Sequence, residues 1–267
     1  MILSALYRYP VKSAQAQSLL ASPVGNLGLQ GDRRWLVVEA ENGRFLTQRA
    51  WPQLGQISAD YAAQGQLLLA APGWPVLEVP VPGADDELRG VTIWRDTLRV
   101  PDAGDAAAAW LSELLGKSVR LVYCPEQRAR YLPSGYGLNS DRAAFPDGFP
   151  LLLIGQASLD ELSRRVGRSM EMLRFRPNLV VEGAEPFAED GWKRIRIGAM
   201  TFRVLKPSVR CILTTLDPAT GERSPDREPL TTLKTFRERE GDVLFGQNLA
   251  VDGEGELKVG MAVEVLE

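Results

Sequence analysis

Short β-prone segments bounded by glycine and proline recur along most of this 267-residue chain. Alternating apolar residues predict strands within 195–204 and a continuous alternation over 257–265. Only two segments, 105–116 and 158–167, have a clear helical pattern. The segment 227–240 is ambiguous, because three of its apolar residues have helical spacing but its threonines weaken the case for a helix. Many short strands with two or three helices predict an α+β, mainly β, protein of barrel-like or sandwich type.

Both predicted helices carry terminal signals. Asp105 can cap the start of the first helix, and Gly116 can end it. In the second helix, Ser158 and Glu161 have the spacing of a capping box, and Gly167 follows the last turn.

A domain boundary is expected after the strand predicted at 119–123. The stretch 125–148 is loop-like, with Pro, Gly, Asn and Asp throughout, and the likeliest division lies near its start. The chain is therefore divided into 1–122 and 123–267.

The chain contains no histidine and two cysteines. It therefore cannot form a Ser-His-Asp triad, an HExxH zinc site, a His-ligated haem or a two-His-one-carboxylate iron site. Two cysteines also cannot ligate a four-cysteine cluster, and Cys124 and Cys211 are too far apart for a CxxC pair. Redox or metal chemistry must rest on one cysteine or on a bound cofactor.

Charge and hydropathy point to a cytoplasmic, unprocessed protein. The formal net charge is 31 − 34 = −3, which gives no support to a nucleic-acid or membrane partner. The first eight residues lack the pattern of a signal peptide, and the longest apolar run, 149–155, is far shorter than the ~20 residues that span a bilayer. Two lone cysteines in a long chain are typical of reduced, intracellular thiols.

Cys211 is the best candidate for a reactive side chain. It follows Arg210 directly and Lys206 by five residues, at the junction of a predicted strand and a Pro-containing turn. Basic neighbours favour the thiolate, the form that binds metals or attacks electrophiles. From composition alone, a small buried hydrophobic role is the more common one for such a cysteine. Cys124 lacks a basic cluster, and we expect it to be structural.

Three polar clusters, at 10–13, 31–34 and 174–178, fall where a β protein has loops. Each alone is typical of a solvated turn. Together they supply the Lys, Arg, hydroxyl and amide donors that a phosphate or a pterin needs. No Walker A or GxGxxG pattern competes with them. The residues alone predict an anion-binding β protein with one reactive thiol.

Five segments resemble, in order, the signature segments of MOSC-domain proteins. They are Pro10-Val11-Lys12-Ser13, Gly31-Asp32-Arg33, Phe175-Arg176-Pro177-Asn178, Arg210-Cys211-Ile212-Leu213-Thr214-Thr215 and Phe245-Gly246-Gln247-Asn248. The closer resemblance, over essentially the whole chain, is to the branch of bacterial YcbX-type proteins and the mitochondrial amidoxime reducing component. It implies a small N-terminal β-barrel-like domain followed by a MOSC β-barrel domain with a few helices.

The resemblance also implies a molybdenum cofactor, with molybdopterin as its organic part. The family's molybdenum ligand and catalytic cysteine corresponds to Cys211. The cofactor-binding positions implied by the signature segments are Lys12, Ser13, Arg33, Arg176, Asn178, Ser208, Arg210, Gln247 and Asn248. Many relatives have Cys at the position of Ser208 and Ser at that of Val209, so the contacts of those two side chains differ here.

Three functions follow from the resemblance. The first is an oxidoreductase that reduces small N-hydroxylated compounds, such as hydroxylamino bases and amidoximes. YcbX-type proteins often carry a four-cysteine ferredoxin-type domain, which this sequence lacks, so its electrons are expected from a separate reductase or ferredoxin-like protein. The second is a carrier that uses a Cys211 persulfide or Cys211-bound cofactor. The third is a β protein with a degenerate cofactor pocket.

Overall fold

The computed structural model describes residues 1–267 and is mainly β, with three α-helices, as predicted. The helices are α1 (Asp105–Leu115), α2 (Gln156–Val166) and α3 (Leu230–Arg237). The strands are β1 (Ile2–Arg8), β2 (Gln17–Leu19), β3 (Ala21–Gly25), β4 (Gly28–Leu29), β5 (Trp35–Glu39), β6 (Ser58–Tyr61), β7 (Leu67–Ala70), β8 (Leu77–Val79), β9 (Leu88–Ile93), β10 (Asp96–Pro101), β11 (Val119–Tyr123), β12 (Arg130–Tyr131), β13 (Arg142–Ala143), β14 (Leu151–Gly155), β15 (Leu179–Glu182), β16 (Arg194–Ile197), β17 (Met200–Arg210), β18 (Glu238–Arg239), β19 (Asp242–Asp252), β20 (Gly255–Lys258) and β21 (Val263–Val265).

A nine-stranded sheet dominates the fold, in the order β2-β1-β15-β14-β19-β17-β16-β21, with β18 also paired to β19. All its pairs are antiparallel except β14 with β15. The amide of Leu3 donates to the carbonyl of Met261, and that of Val263 donates to the carbonyl of Met1. These bonds join β1 to the last strand, so that the sheet closes around a core of 17 buried residues.

The first two strands of the chain, β1 and β2, belong to this sheet, where β1 pairs with β15. β3 pairs with β20 from the C-terminal half in a separate three-stranded sheet that also contains β4. The rest of the N-terminal half forms separate small sheets, β5 with β11, β6 with β7 and β8, and β9 with β10, and α1 packs on them around a second core. The two halves therefore share strands, and the division at 122 stays a prediction.

Glycine ends both predicted helices, as expected. Gly116 and Gly167 follow α1 and α2 in the left-handed conformation, with φ of 63° and 82°. This conformation lets their amides reach back to the last helical carbonyls, and it favours glycine because no Cβ is present. The ambiguous segment contains α3, whose Leu233 is fully buried.

The predicted N-terminal caps are wrong in both helices. Gly104 occupies the cap position of α1, and the Asp105 carboxylate instead accepts a hydrogen bond from Arg120 at 2.7 Å. Ser158 lies inside α2, where its Oγ donates to the buried Glu189 at 2.8 Å. Glu161 binds Arg164 and Arg165. Each of these polar side chains binds another side chain and caps no helix.

The predicted alternation over 257–265 is interrupted. β20 ends at Lys258 and β21 begins at Val263, with Gly260 between them at φ 91°. A turn with positive φ reverses the chain there, so two strands replace one.

A buried carboxylate ties the N-terminal half together. Asp102 accepts hydrogen bonds from Arg89 Nε at 2.7 Å, Arg120 Nε at 2.8 Å and the amide of Gly104 at 2.8 Å. Burial alone would raise the pKa of Asp102, but the hydrogen bonds from Arg120 and Arg89 outweigh it, so the pKa lies below its usual value. The contacts join β9, β11 and the start of α1 through one side chain.

Replacing this carboxylate should destabilise the protein strongly. In Asp102→Ala two arginines lose their buried partner, and breaking such a pair costs about 3–5 kcal/mol. Asp105→Ala is the matched control, since Asp105 binds the same Arg120 from a side chain that is 97% exposed, where ion pairs contribute little. Urea unfolding of both variants measures the difference, and equal losses of stability would contradict this role for Asp102.

Candidate functional site

A cavity of about 400 Å³ brings most of the predicted site residues together. Nine of the ten line it: Lys12, Ser13, Arg33, Arg176, Asn178, Ser208, Arg210, Cys211 and Asn248. Gln247 does not line the cavity. It is buried elsewhere, and its Nε2 donates to Asp190 Oδ1 at 2.8 Å. Successive side chains of a strand point to opposite faces, so β19 can present Asn248 to the cavity only by turning Gln247 away.

Several non-glycine residues around the cavity have a left-handed backbone conformation. Seven non-glycine residues of the chain have positive φ, and four of them line the cavity: Ser13 (70°), Arg33 (46°), Trp94 (55°) and Arg176 (55°). This conformation costs non-glycine residues of order 1–3 kcal/mol and persists where the surrounding structure over-determines it. The fold therefore accepts local strain to direct these four side chains.

Cys211 is a free, half-buried thiol directly after β17. Its carbonyl accepts hydrogen bonds from the amide and the hydroxyl of Thr214, at 3.1 and 3.0 Å, which fix the turn that carries it. The pairing of β17 with β19 is irregular between Val204 and Lys206 and again between Pro207 and Val209. Such bulges redirect side chains next to functional sites.

Arg210 anchors the chain next to the thiol. Its guanidinium donates to the carbonyl of Phe245 through Nε at 2.7 Å and to that of Phe175 through Nη1 at 3.0 Å. Burial lowers the pKa of Arg210 to about 10, so it stays charged near neutral pH. With these carbonyls as partners, Arg210 fixes the strand end that precedes Cys211.

Cys124 lies in a different environment. It is fully buried in a hydrophobic cluster of the N-terminal half, away from the cavity. Burial raises the pKa of its thiol to about 11. A protonated thiol surrounded by apolar side chains is a poor nucleophile and metal ligand.

Basic side chains dominate the lining of the cavity. Seven are present, Lys12, Arg33, Arg49, Arg174, Arg176, Lys206 and Arg210, against one acidic side chain, Asp147. The whole chain has a net charge of −3, so this excess of positive charge is local. A concave site with such an excess attracts anions.

Besides Arg210, two of these arginines are already engaged within the protein. Arg33 binds Asp32 at 2.6 Å, Asn178 Oδ1 at 3.1 Å and the carbonyl of Arg176 at 3.1 Å. Arg174 pairs with Glu171 and Asp217. These side chains hold neighbouring segments in place and have less capacity for a ligand.

Two other arginines have buried donors without any partner. The Arg176 guanidinium lies over the ring of Tyr9, 4.2 Å from its centroid, and its Nη2 is buried and unpaired. Arg49 lies over the ring of Trp94 at 4.9 Å, and its Nε is buried and unpaired. An unpaired buried donor costs about 1–3 kcal/mol, more when charged, which an anion in the cavity would relieve.

Lys12 is held by an acid that an anion could replace. Its Nζ lies 2.5 Å from Asp147 Oδ1 and 2.8 Å from the carbonyl of Phe145. Burial lowers the pKa of Lys12 to about 8, although Asp147 opposes the shift. The Asp147 side chain is 63% exposed at the rim, so it can move away without breaking the core.

Asn178 and Asn248 connect strands at the floor of the cavity. Asn178 accepts from the amide of Leu152 and donates to the carbonyl of Tyr7 at 3.1 Å, which joins β14 to β1. Asn248 Nδ2 lies 3.4 Å from the carbonyls of Lys206 and Pro207, at the bulge of β17. Both amides position the backbone that carries the ligand-facing side chains.

The sequence reasoning missed Arg49, Trp94 and Asp147 as lining residues. Arg49 follows the segment 35–47 without a marked motif, and Trp94 occurs in an ordinary β-rich run. The segment 125–148, which carries Asp147, has only the composition of a loop. No local signal indicated that these segments meet, since the contacts join positions 45 or more residues apart.

The donor set fits a molybdenum cofactor better than a metal held by protein alone. No group of three or more His, Cys, Asp or Glu side chains in the chain could hold a metal ion. A single thiol can instead complete the coordination of a soft metal that a cofactor already binds. The unpaired guanidinium donors suit the phosphate of such a cofactor.

Family models cover both halves of the chain. The MOSC N-terminal beta barrel domain matches residues 1–118, and the MOSC domain matches residues 140–264. No helix of the chain is long and apolar enough to span a lipid bilayer.

Individual relatives agree with these matches. The chain is 32% identical over 280 residues to mitochondrial amidoxime-reducing component 1 of Danio rerio, a match that covers 98% of this chain and 84% of the relative. It is 34% identical over 275 residues to mitochondrial amidoxime reducing component 2 of Bos taurus, covering 97% and 81%. It is also 30% identical over 291 residues to molybdenum cofactor sulfurase of Oryza sativa, but there it spans 34% of the relative's length.

Anion binding to the cavity should weaken as the pH rises. The pKa of about 8 means that Lys12 is mostly charged at pH 7 and mostly neutral at pH 9. Sulfate keeps its charge over this range, so its dissociation constant, measured by calorimetry, should rise roughly tenfold from the loss of one cation.

The Lys12→Gln variant is the control. Its affinity for sulfate should be lower than that of the wild type at pH 7 and should change little up to pH 9. Parallel pH profiles in the two proteins would contradict the assignment of Lys12 to the anion site.

Proposed function

Since the chain belongs to the MOSC-domain family, with an N-terminal MOSC β-barrel domain before the MOSC domain, we propose that it is a molybdenum-cofactor-dependent oxidoreductase. Its substrates are small N-hydroxylated compounds such as amidoximes and hydroxylamino bases. One observation carries this proposal: a single thiol and buried guanidinium donors without partners line the same cavity. The names of the relatives from Danio rerio and Bos taurus support the substrate class.

The residues have distinct tasks in this proposal. Cys211 supplies the metal ligand, and Lys12, Ser13 and Arg176 hold the cofactor's phosphate. Arg33 acts indirectly, because its guanidinium already binds Asp32, Asn178 and the carbonyl of Arg176. When bound, the cofactor supplies two-electron oxygen-atom transfer, chemistry that no side chain of this protein can perform.

Reduction of an N-hydroxylated compound breaks the N–O bond, consumes two electrons and two protons, and releases water. The sequence contains two cysteines, both free, so these residues hold no four-cysteine cluster to deliver the electrons. The proposed electron donor is a separate reductase or ferredoxin-like protein. A cytoplasmic location, without nucleic-acid or membrane partners, stays a prediction.

A carrier function is the second candidate. It is favoured by the match to a molybdenum cofactor sulfurase over 98% of this chain. In that case Cys211 would hold a persulfide or a cofactor for transfer to another enzyme. Sulfur released from Cys211 by cyanide, together with no turnover of amidoximes, would favour this candidate over the reductase.

Protein produced in a host that makes the cofactor should contain about one molybdenum and one pterin per chain. It should also reduce an amidoxime with an artificial electron donor. Metal analysis, pterin fluorescence after oxidation and product quantification test these points separately. Full cofactor content without turnover would support a carrier of Cys211-bound cofactor. Absence of both metal and pterin would contradict the reductase and the cofactor carrier, and would leave only a carrier that uses a Cys211 persulfide.

Replacing Cys211 by Ser should remove activity without unfolding the protein. The two side chains have similar volumes and Cys211 is only half-buried, so the melting temperature should change little. A neutral hydroxyl is a poor substitute for thiolate on molybdenum, so turnover should fall to background while the pterin stays bound.

Cys124→Ser is the control for this experiment. Cys124 is buried in a hydrophobic cluster of the N-terminal half and does not line the cavity, so its replacement leaves the site unchanged. Activity should stay within a few-fold of the wild type. Cys211→Ser protein that retains most of the wild-type turnover would disprove the role given to Cys211.

A further inference from the structure

Trp94 occupies a position that ordinarily favours glycine. It is the first residue of the two-residue turn between β9 and β10, where Ile93 pairs with Asp96. Its φ is 55°, in the left-handed region. A positive φ at the first central position of such a turn is typical of glycine, and a bulky aromatic residue there is an outlier.

The side chain is fixed although it is exposed. The Trp94 indole Nε1 donates to Asp147 Oδ1 at 3.2 Å, and its ring makes an edge contact with Phe45 at 5.0 Å. The guanidinium of Arg49 lies over the same ring at 4.9 Å. Even so, 44% of the residue remains exposed, so the strain is not explained by burial in a core.

This exposed indole lines the cavity that contains Cys211. Asp147 accepts hydrogen bonds from both Trp94 and Lys12, so the indole is linked directly to one of the basic side chains of the cavity. Backbone strain at an aromatic residue whose side chain several contacts hold in a cavity wall is typical of a residue that meets a ligand.

We propose that Trp94 is a specificity-determining residue: planar, conjugated N-hydroxylated substrates stack against its exposed indole surface. Arg49 is a positioning residue, since it lies over the ring and holds it in the cavity wall. This inference rests on the proposed function and adds a substrate preference to it. Aromatic substrates bind more tightly than aliphatic ones with the same reacting group, because only they add an aromatic ring that stacks on the indole.

Two substrates separate the effect of stacking on Trp94 from other effects of the substitution on activity. Benzamidoxime and acetamidoxime carry the same amidoxime group, and only the first has a ring. In Trp94→Ala, loaded with cofactor, KM for benzamidoxime should rise roughly threefold to tenfold. KM for acetamidoxime and kcat for both substrates should stay within about twofold.

Two control variants exclude a merely structural role. Trp94→Phe keeps a ring but loses the bond to Asp147, and it should retain most of the preference for benzamidoxime. Tyr131→Ala removes an aromatic residue that is 69% exposed and outside the cavity lining, and it should change neither substrate. Equal effects of Trp94→Ala on both substrates, or equal losses in Trp94→Phe and Trp94→Ala, would overturn the proposal.

A binding measurement separates failure of this inference from failure of the proposed function. Calorimetry of benzamidine and acetamidine, the corresponding reduced compounds, needs no turnover. The wild type should prefer benzamidine, and Trp94→Ala should reduce that preference by the same threefold to tenfold factor. An unchanged ratio of affinities overturns the role of Trp94, whereas lack of amidoxime turnover in loaded wild-type protein overturns the proposed function.

Discussion

Buried guanidinium donors without partners are the feature on which the organisation of the site depends. Nη2 of Arg176 and Nε of Arg49 are both enclosed without a hydrogen-bond acceptor, and seven basic side chains face one acidic side chain around the same cavity. Such an arrangement is unfavourable in the isolated protein. It becomes favourable when an anion enters, so the site is organised for a ligand that the chain itself does not provide.

The way the two halves are joined explains how these charges converge. β1 lies in the large sheet, and the chain then leaves it to deliver Lys12, Arg33, Arg49 and Trp94 from the N-terminal half. The C-terminal half provides Arg176 and the thiol of Cys211, which directly follows β17. Neither half could form the site alone. The strand exchange places the anion donors and the single soft ligand around the same space, which is the requirement for a cofactor with a charged tail and a metal.

Local signals in the sequence predicted local structure, and long-range contacts account for the differences. Gly116 ends its helix because its left-handed conformation depends only on the neighbouring turn. Asp105 failed as a cap because Arg120, far along the chain, binds its carboxylate. The alternation of side chains along a strand was sufficient to predict that only one of Gln247 and Asn248 faces the cavity. Arg49 could not have been found, because its place in the cavity depends on how the two halves pack.

The central claim is that the Cys211 cavity holds the molybdenum cofactor, with the thiol bound to the metal. Anomalous diffraction from crystals of cofactor-loaded protein, recorded above and below the molybdenum absorption edge, tests it most directly. We expect one strong anomalous peak per chain within bonding distance of Cys211 Sγ, with the phosphate of the cofactor against Lys12 and Arg176. A peak at any other position, or an ordered cofactor without contact to Cys211, would contradict it.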